Sequence, residues 1–206
     1  MSEFWEEAFK EKQEMWGHTP AKSAELTKDF FIRHRLKDVL IPGIGYGRNA
    51  KVFIDNGIKV TGIEISETAI ELAKKHFGDD LTIFQGSVTE MPFDNKEYEG
   101  IFCYGLIYLL NEYERQKLIQ DCYKQLKDGG FMVFTAITKD AQTYGQGKLI
   151  SKDRFEMFGG VKIYFYDVES IKKEFGNVGL LEVTEVKENY PFYLIKCRKS
   201  DELETF

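Results

Sequence analysis

Cysteine, histidine and proline are all scarce in this chain of 206 residues, which has 3, 3 and 4 of them. Cys103, Cys122 and Cys197 are scattered, odd in number and without CxxC spacing, which argues against a disulfide framework and describes ordinary reduced thiols. His18, His34 and His76 include no pair at i, i+4, so no metal site is expected. An excess of positive charge is also missing: 28 Lys and Arg face 34 Asp and Glu, a net charge of −6 with a pI near 5.3. That balance disfavours a nucleic-acid partner, whose footprint would be a basic stripe. No apolar run approaches the roughly 20 residues that span a bilayer. The N-terminus, MSEFWEEAFKEKQEMW, lacks the basic start and apolar core of a signal peptide. A cytoplasmic protein without a membrane partner is the expectation, as a monomer or homodimer.

What the chain does have is core material. Hydrophobic residues make up 43% and aromatics 15% of it, enough for one compact domain. Phe4, Trp5, Ala8 and Phe9, then Leu26, Phe30 and Phe31, recur at helical spacing, and Gly17 and Pro20 separate the two predicted helices. Val39-Leu40-Ile41 reads as a buried first strand. Arg48 to Asp55 returns to helical spacing, and Asn56-Gly57 stops it. A strand over Lys59–Ile65 follows, then a helix that Ser66 caps. Leu81–Phe84 and Glu99–Cys103 continue the strands, Asn111 caps another helix that ends at Asp128-Gly129-Gly130, and Phe131–Ile137 is a fifth strand.

Strands alternating with helices imply an α/β fold: a Rossmann-like, doubly wound, mostly parallel sheet in a three-layer sandwich. The tail departs from that rule. Helical spacing begins at Val168, and Leu180–Lys187 and Tyr190–Arg198 are too close to pair except antiparallel. The stretch between Thr138 and Val161, rich in glycine and aromatics, fits none of the repeating units and reads as an insertion over one edge of the sheet. The expected divisions are an N-terminal helical cover over 1–36, a cofactor-binding core over 37–137, the insertion over 138–161, expected over the substrate site, and a helix and hairpin over 162–198. The charge runs Lys10–Glu14 and Lys196–Glu204 read as solvated faces and a frayed end.

The chemistry-bearing segment is Pro42-Gly43-Ile44-Gly45-Tyr46-Gly47-Arg48, where the first strand turns toward a helix. Glycines at alternate positions let the backbone turn sharply and approach a ligand. About 20 residues on, Glu64 ends the second strand, where an acid accepts hydrogen bonds from ribose hydroxyls. Both positions face the crevice beyond the strand ends. The dinucleotide fingerprint would place its third glycine at Arg48, which disfavours a nicotinamide or flavin cofactor.

These motifs, in this order, resemble the class I S-adenosylmethionine-dependent methyltransferases over residues 16 to 198. The resemblance implies a seven-stranded sheet with a C-terminal hairpin, S-adenosyl-L-methionine as cofactor, and a cofactor site built on Gly43, Gly45, Gly47, Arg48, Glu64, Ile65, Gly86, Ser87 and Val88. Tyr98 to Tyr104 matches the family's fourth motif, and Leu126 to Gly130 its turn before strand five. Two departures stand out. Ile41 occupies the place of an acid that would organise the glycine loop, and Ser87 that of the Asp that usually accepts the adenine amino group. Pro42-Gly43 and the Trp16-Gly17 region resemble the thiopurine, thiol and halide methyltransferase subgroup.

Methyl transfer is an in-line displacement in which the protein mainly aligns the reactants. It needs no catalytic triad, and no catalytic residue is identifiable. Tyr104 and Tyr108, after strand four, are placed to contact the cofactor or a substrate, or to pack as lid residues. Trp16 and His18 can close over the cofactor, although a Trp is more often core. The aromatics of the insertion suit an apolar pocket or simple packing onto the sheet. The leading expectation is methyl transfer to a small-molecule acceptor. The alternative is a regulator that binds S-adenosylmethionine without catalysis.

Overall fold

The computed structural model describes residues 2–201, so residues 202–204 of the expected C-terminal charge run lie outside the described residues. Two helices, α1 (Ser2–Lys12) and α2 (Lys22–Arg33), precede an alternation of β1 (Asp38–Pro42), α3 (Lys51–Ile54), β2 (Lys59–Glu64), α4 (Glu67–Phe77), β3 (Leu81–Gln85), β4 (Tyr98–Cys103), α5 (Glu112–Lys124) and β5 (Leu126–Ile137). Three short strands follow, β6 (Lys148–Ser151), β7 (Arg154–Met157) and β8 (Val161–Tyr164). The chain then closes with α6 (Val168–Phe175), β9 (Leu180–Lys187) and β10 (Pro191–Arg198). The main sheet has the order β3-β2-β1-β4-β5-β10-β9. Strands β1 to β5 pair parallel, while β10 runs antiparallel between β5 and β9.

Side chains alternating across the strands give the sheet two separate apolar faces. Val39, Ile41, Phe102 and Val133 point toward α2, α3 and α4, packing with Phe31, Val52, Phe53 and Ala73. Leu40, Ile101, Cys103, Met132 and Phe134 point the other way, onto Leu118, Ile119 and Cys122 of α5 and Ile171 and Phe175 of α6. The three-layer sandwich follows from that alternation. Arg115 of α5 and Glu174 of α6 form a buried ion pair at 2.8 Å, with the Tyr166 hydroxyl donating to the same carboxylate. Among the described residues no helix is long and apolar enough to cross a membrane.

Three details differ from the expectation. α3 is a single turn, because the chain leaves β1 through a series of turns and regular helix begins only at Lys51. β5 starts at Leu126 rather than Phe131, since the Leu126–Gly130 turn itself pairs with β4 before a register shift. The inserted stretch is a three-stranded antiparallel sheet ending at Tyr164, past the expected boundary. It does not lie over a sheet edge. Ile163 and Phe155 pack with Leu109, in the turn that follows β4, and with Ile137 at the C-terminal end of β5, and both strands are interior to the sheet.

Candidate active site

The strand order reverses between β1 and β4. Beyond the C-terminal ends of these strands, where an open parallel sheet binds its ligands, lies a cavity of about 660 Å³. Gly43, Ile44 and Gly45 form one wall, Glu64 and Ile65 another, and Gly86, Ser87 and Val88 a third. Arg48, Tyr104 and Trp16 border it as well. Ten of the eleven residues predicted for the cofactor site therefore meet around one space. Gly47 does not line it. Its φ is +83°, and a Cβ there would stand 2.5 Å from the Phe77 ring of α4. Its packing against α4 therefore requires a glycine.

The glycine turn is tied down from below. The Gly43 and Ile44 amides donate to the Ile63 carbonyl, and Gly45, with φ +60°, donates to Glu64 Oε2 at 2.8 Å. Glu64 Oε1 accepts from the amides of Ile65 and Ser66, at 2.8 and 2.9 Å. So Glu64 organises the loop, the task left open by Ile41. Three of its roughly four acceptor sites are engaged by backbone, leaving about one for a ligand. Burial pushes its carboxyl above the usual range, and the three N–H donors offset only part of that rise. Those contacts favour the anion, because they offer donors only and nothing to accept a carboxyl proton.

Ser87 borders the cavity, but its hydroxyl also caps the turn that follows, accepting from the Thr89 amide at 3.2 Å and sharing a hydrogen bond with Thr89 Oγ1 at 2.7 Å. Trp16 is not core: it is 46% exposed and lies nearly parallel to Tyr46, at an interplanar angle of 9°. Tyr46 donates to the Gly17 carbonyl at 2.8 Å and accepts from the Trp16 amide at 3.2 Å, which fixes this cover to the loop. α1 is held by Glu6, whose carboxylate accepts from the Ser66 and Thr68 hydroxyls, both at 2.7 Å, at the start of α4. Those bonds lower its pKa to about 2.

Tyr104 donates to Glu188 Oε2 at 2.9 Å, and the Arg48 guanidinium sits over its ring at 5.7 Å. Burial and the Glu188 charge push the Tyr104 hydroxyl above its usual range, so it acts as a neutral donor. Glu188 Oε1 in turn accepts from the amide and hydroxyl of Ser23, both at 2.5 Å. Sequence reasoning missed Glu188, Tyr46 and Glu6. Each owes its place to a partner far away in the chain, and Glu188 and Glu6 carried no motif signal at all. The far end of the cavity is apolar, lined by Tyr108, Leu109, Ile137, Phe158, Ile163 and Phe192. The Thr143 hydroxyl borders it too, buried and without a hydrogen-bond partner.

Residues 39–130 match the family described as "Methyltransferase domain". Over these residues the chain is similar to methyltransferase domains. Over 103 residues it is 32% identical to the sarcosine/dimethylglycine N-methyltransferase of Aphanothece halophytica, covering 47% of this chain and 36% of that one. Over 111 residues it is 27% identical to the ubiquinone biosynthesis O-methyltransferase of Coxiella burnetii, covering 52% and 47%. The chain thus spans less than half the length of these relatives. The fold of the methyltransferase domain and its surroundings is like that of the 1,6-didemethyltoxoflavin-N1-methyltransferase of Burkholderia thailandensis, crystallised with 1,6-didemethyltoxoflavin and S-adenosylhomocysteine. That likeness has a TM-score of 0.75 at 13% identity and covers 97% of this chain and 87% of that one. The donor set around the cavity suits S-adenosylmethionine: a strand-end carboxylate with an acceptor site to spare, two glycines where the backbone borders the cavity, and a guanidinium.

Proposed function

We propose that this protein transfers a methyl group from S-adenosylmethionine to a small, flat, largely apolar acceptor. The observation that carries the reading is the Gly45–Glu64 contact, which joins the glycine loop and the strand-end acid into one wall of a single cavity at the strand-order reversal. When bound, S-adenosylmethionine supplies a sulfonium-activated methyl group. Glu64 offers its remaining acceptor site to the ribose hydroxyls, and Arg48 its charge to the amino-acid carboxylate. Gly43, Gly45, Ile65, Gly86, Ser87 and Val88 line the nucleoside, with Trp16 and Tyr104 as cover and wall. The aromatic far end excludes water and orients the acceptor, and the Thr143 hydroxyl gives it one polar anchor. No acid or base is assigned a catalytic role.

A small acceptor is supported by this apolar end and by a net charge of −6, which suits neither nucleic acid nor a polyanion. Three free, buried cysteines suit a reducing, cytoplasmic setting for a monomer or homodimer. Calorimetry with S-adenosylhomocysteine, followed by labelled methyl transfer to a panel of small heteroaromatic amines and phenols, tests the proposal. Absence of binding at millimolar concentration refutes it. Binding without transfer to any acceptor would instead support the non-catalytic regulator.

A further inference from the structure

A second, smaller cleft of about 180 Å³ lies on the outer side of the N-terminal cover, among His18, Tyr46, Arg48, Lys51, His76 and Phe77. At its rim the turn that follows α1 meets the end of α4. There His18 Nε2 lies 3.0 Å from Glu14 Oε2, and His76 Nε2 contacts Glu14 Oε1. The two imidazoles approach edge to face, with centroids 5.6 Å apart. One ligand-type atom from each of the three residues falls within 4.8 Å of the other two. Two imidazole nitrogens and a carboxylate oxygen, with open space in front for a water, form the donor set of a four-coordinate late transition metal. The neighbouring cations have partners of their own: Arg48 donates to the Trp16 carbonyl and Lys51 pairs with Asp55. All three side chains are solvent-accessible, so small rotations suffice to bring their atoms to the roughly 2.0–2.2 Å that Zn²⁺ requires.

We propose that Glu14, His18 and His76 form a Zn²⁺-class metal site that clamps residues 13–18 to α4. The clamp is structural. None of the three residues lines the large cavity, but the turn they hold carries Trp16, which does. The same turn contains Gln13 and Gly17, both at positive φ (53° and 67°), a conformation that costs free energy at the non-glycine position and gains from an added tether. Spacing along the chain hides the site, because His76 is brought in only by the packing of α1 on α4.

The test uses the full chain after chelator treatment and no methyl donor, so its outcome is independent of the proposed activity. Calorimetric titration with Zn²⁺ should give one ion per chain, and Co²⁺ should give the visible absorption of a tetrahedral site. Removing a ligand's outer-shell partner already costs about 10–100-fold in affinity, so His18→Ala and His76→Ala should each lose at least about tenfold. The double variant should not bind. His18 is mostly exposed, so its replacement leaves folding intact, which melting without metal confirms. Zn²⁺ should also slow hydrogen exchange at the Trp16 and Gly17 amides, which bond to Tyr46 and to the Glu14 carbonyl. Failure to bind one ion per chain, binding that survives the double variant, or unchanged exchange at these amides would overturn the proposal.

Discussion

Replacing Glu64 by Gln should separate ligand affinity from stability. The carboxylate accepts three backbone hydrogen bonds, from Gly45, Ile65 and Ser66. Hydrogen bonds to a charged acceptor contribute about 1.5–3 kcal/mol each, against about 0.5–1.5 for neutral pairs. In Gln the amide oxygen keeps the two bonds at Ile65 and Ser66 but weakens each by roughly 1 kcal/mol, and the amide NH₂ then confronts the Gly45 N–H, donor to donor. The loss sums to about 3.5–5 kcal/mol. Against it stands the relief of no longer burying a charge, an effect of several kcal/mol in the opposite direction. The net stability change should therefore stay within about 2 kcal/mol, whereas the glycine loop loses the carboxylate that holds Gly45 and the ribose its charged acceptor. Affinity for S-adenosylhomocysteine should fall about 10–100-fold, or about 1.4–2.8 kcal/mol. Calorimetry read beside thermal melting, with hydrogen exchange at the Gly45 amide as a local probe, decides the matter. Full affinity in a well-folded Glu64→Gln protein would refute both the loop-organising and the ribose-binding role.

Three further outcomes follow from other contacts. Glu6 is lowered from an ordinary 4.5 to about 2 by its bonds to Ser66 and Thr68, so its contribution is complete above pH about 4.5 and is lost as pH falls toward 2. Acid should detach α1 from α4 over that window, visible in Trp5 and Trp16 fluorescence, and an unchanged transition in Glu6→Gln would contradict it. Glu174→Ala leaves Arg115 buried and unpaired and should cost about 3–5 kcal/mol, roughly 6–20 °C in melting temperature. A shift below about 3 °C in the same melt would show that the pair is dispensable. Gly47→Ala forces a side chain into positive φ against Phe77 and should cost about 1–3 kcal/mol while leaving cofactor affinity nearly intact. Lost affinity without lost stability would return Gly47 to the ligand site.

The layers of the fold were legible because they rest on short-range periodicity. Val39 and Ile41 alternate with Leu40, and Leu118, Ile119 and Cys122 share a helix face, so each segment announces its own geometry. The glycine loop and Glu64 were legible for a related reason: a turn and an acid one strand later lie at a distance that the βαβ unit itself fixes. Where the sequence misled, a tertiary contact had decided the local outcome. Arg48 to Ala50 have helical spacing yet sit in turns, because the loop that they continue is tied down at Gly43, Ile44 and Gly45. The third glycine matched the motif, but its packing against Phe77 was not legible. Glu188 reads as a hairpin-turn acid, and nothing near it in sequence reveals that Tyr104 and Ser23 converge on it.

The contacts that enclose the cavity differ in kind from those that make the sheet. The core consists chiefly of two apolar faces divided by the strands, whose stabilisation is non-directional and scales with the apolar area removed from water. Residues 2–18 have their apolar anchors in Phe9, packed on Tyr46, Ala69 and Leu72 with Trp5 and Met15 beside it, and in Trp16, stacked on Tyr46. The rest of their attachment is polar: Glu6 at the start of α4, Tyr46 bonded to the Trp16–Gly17 backbone, and the Glu14 cluster at the end of α4. These are single polar contacts, each worth about 0.5–3 kcal/mol and each open to titration or competition by solvent. Because they lie outside the sheet's two cores, loosening them can open the cavity without unfolding the domain. The cover and the sheet are thus separable parts. The strand ends and their loops bound the cavity on one side, and Trp5, Phe9, Lys12 and Trp16 of residues 2–18 border it on the other.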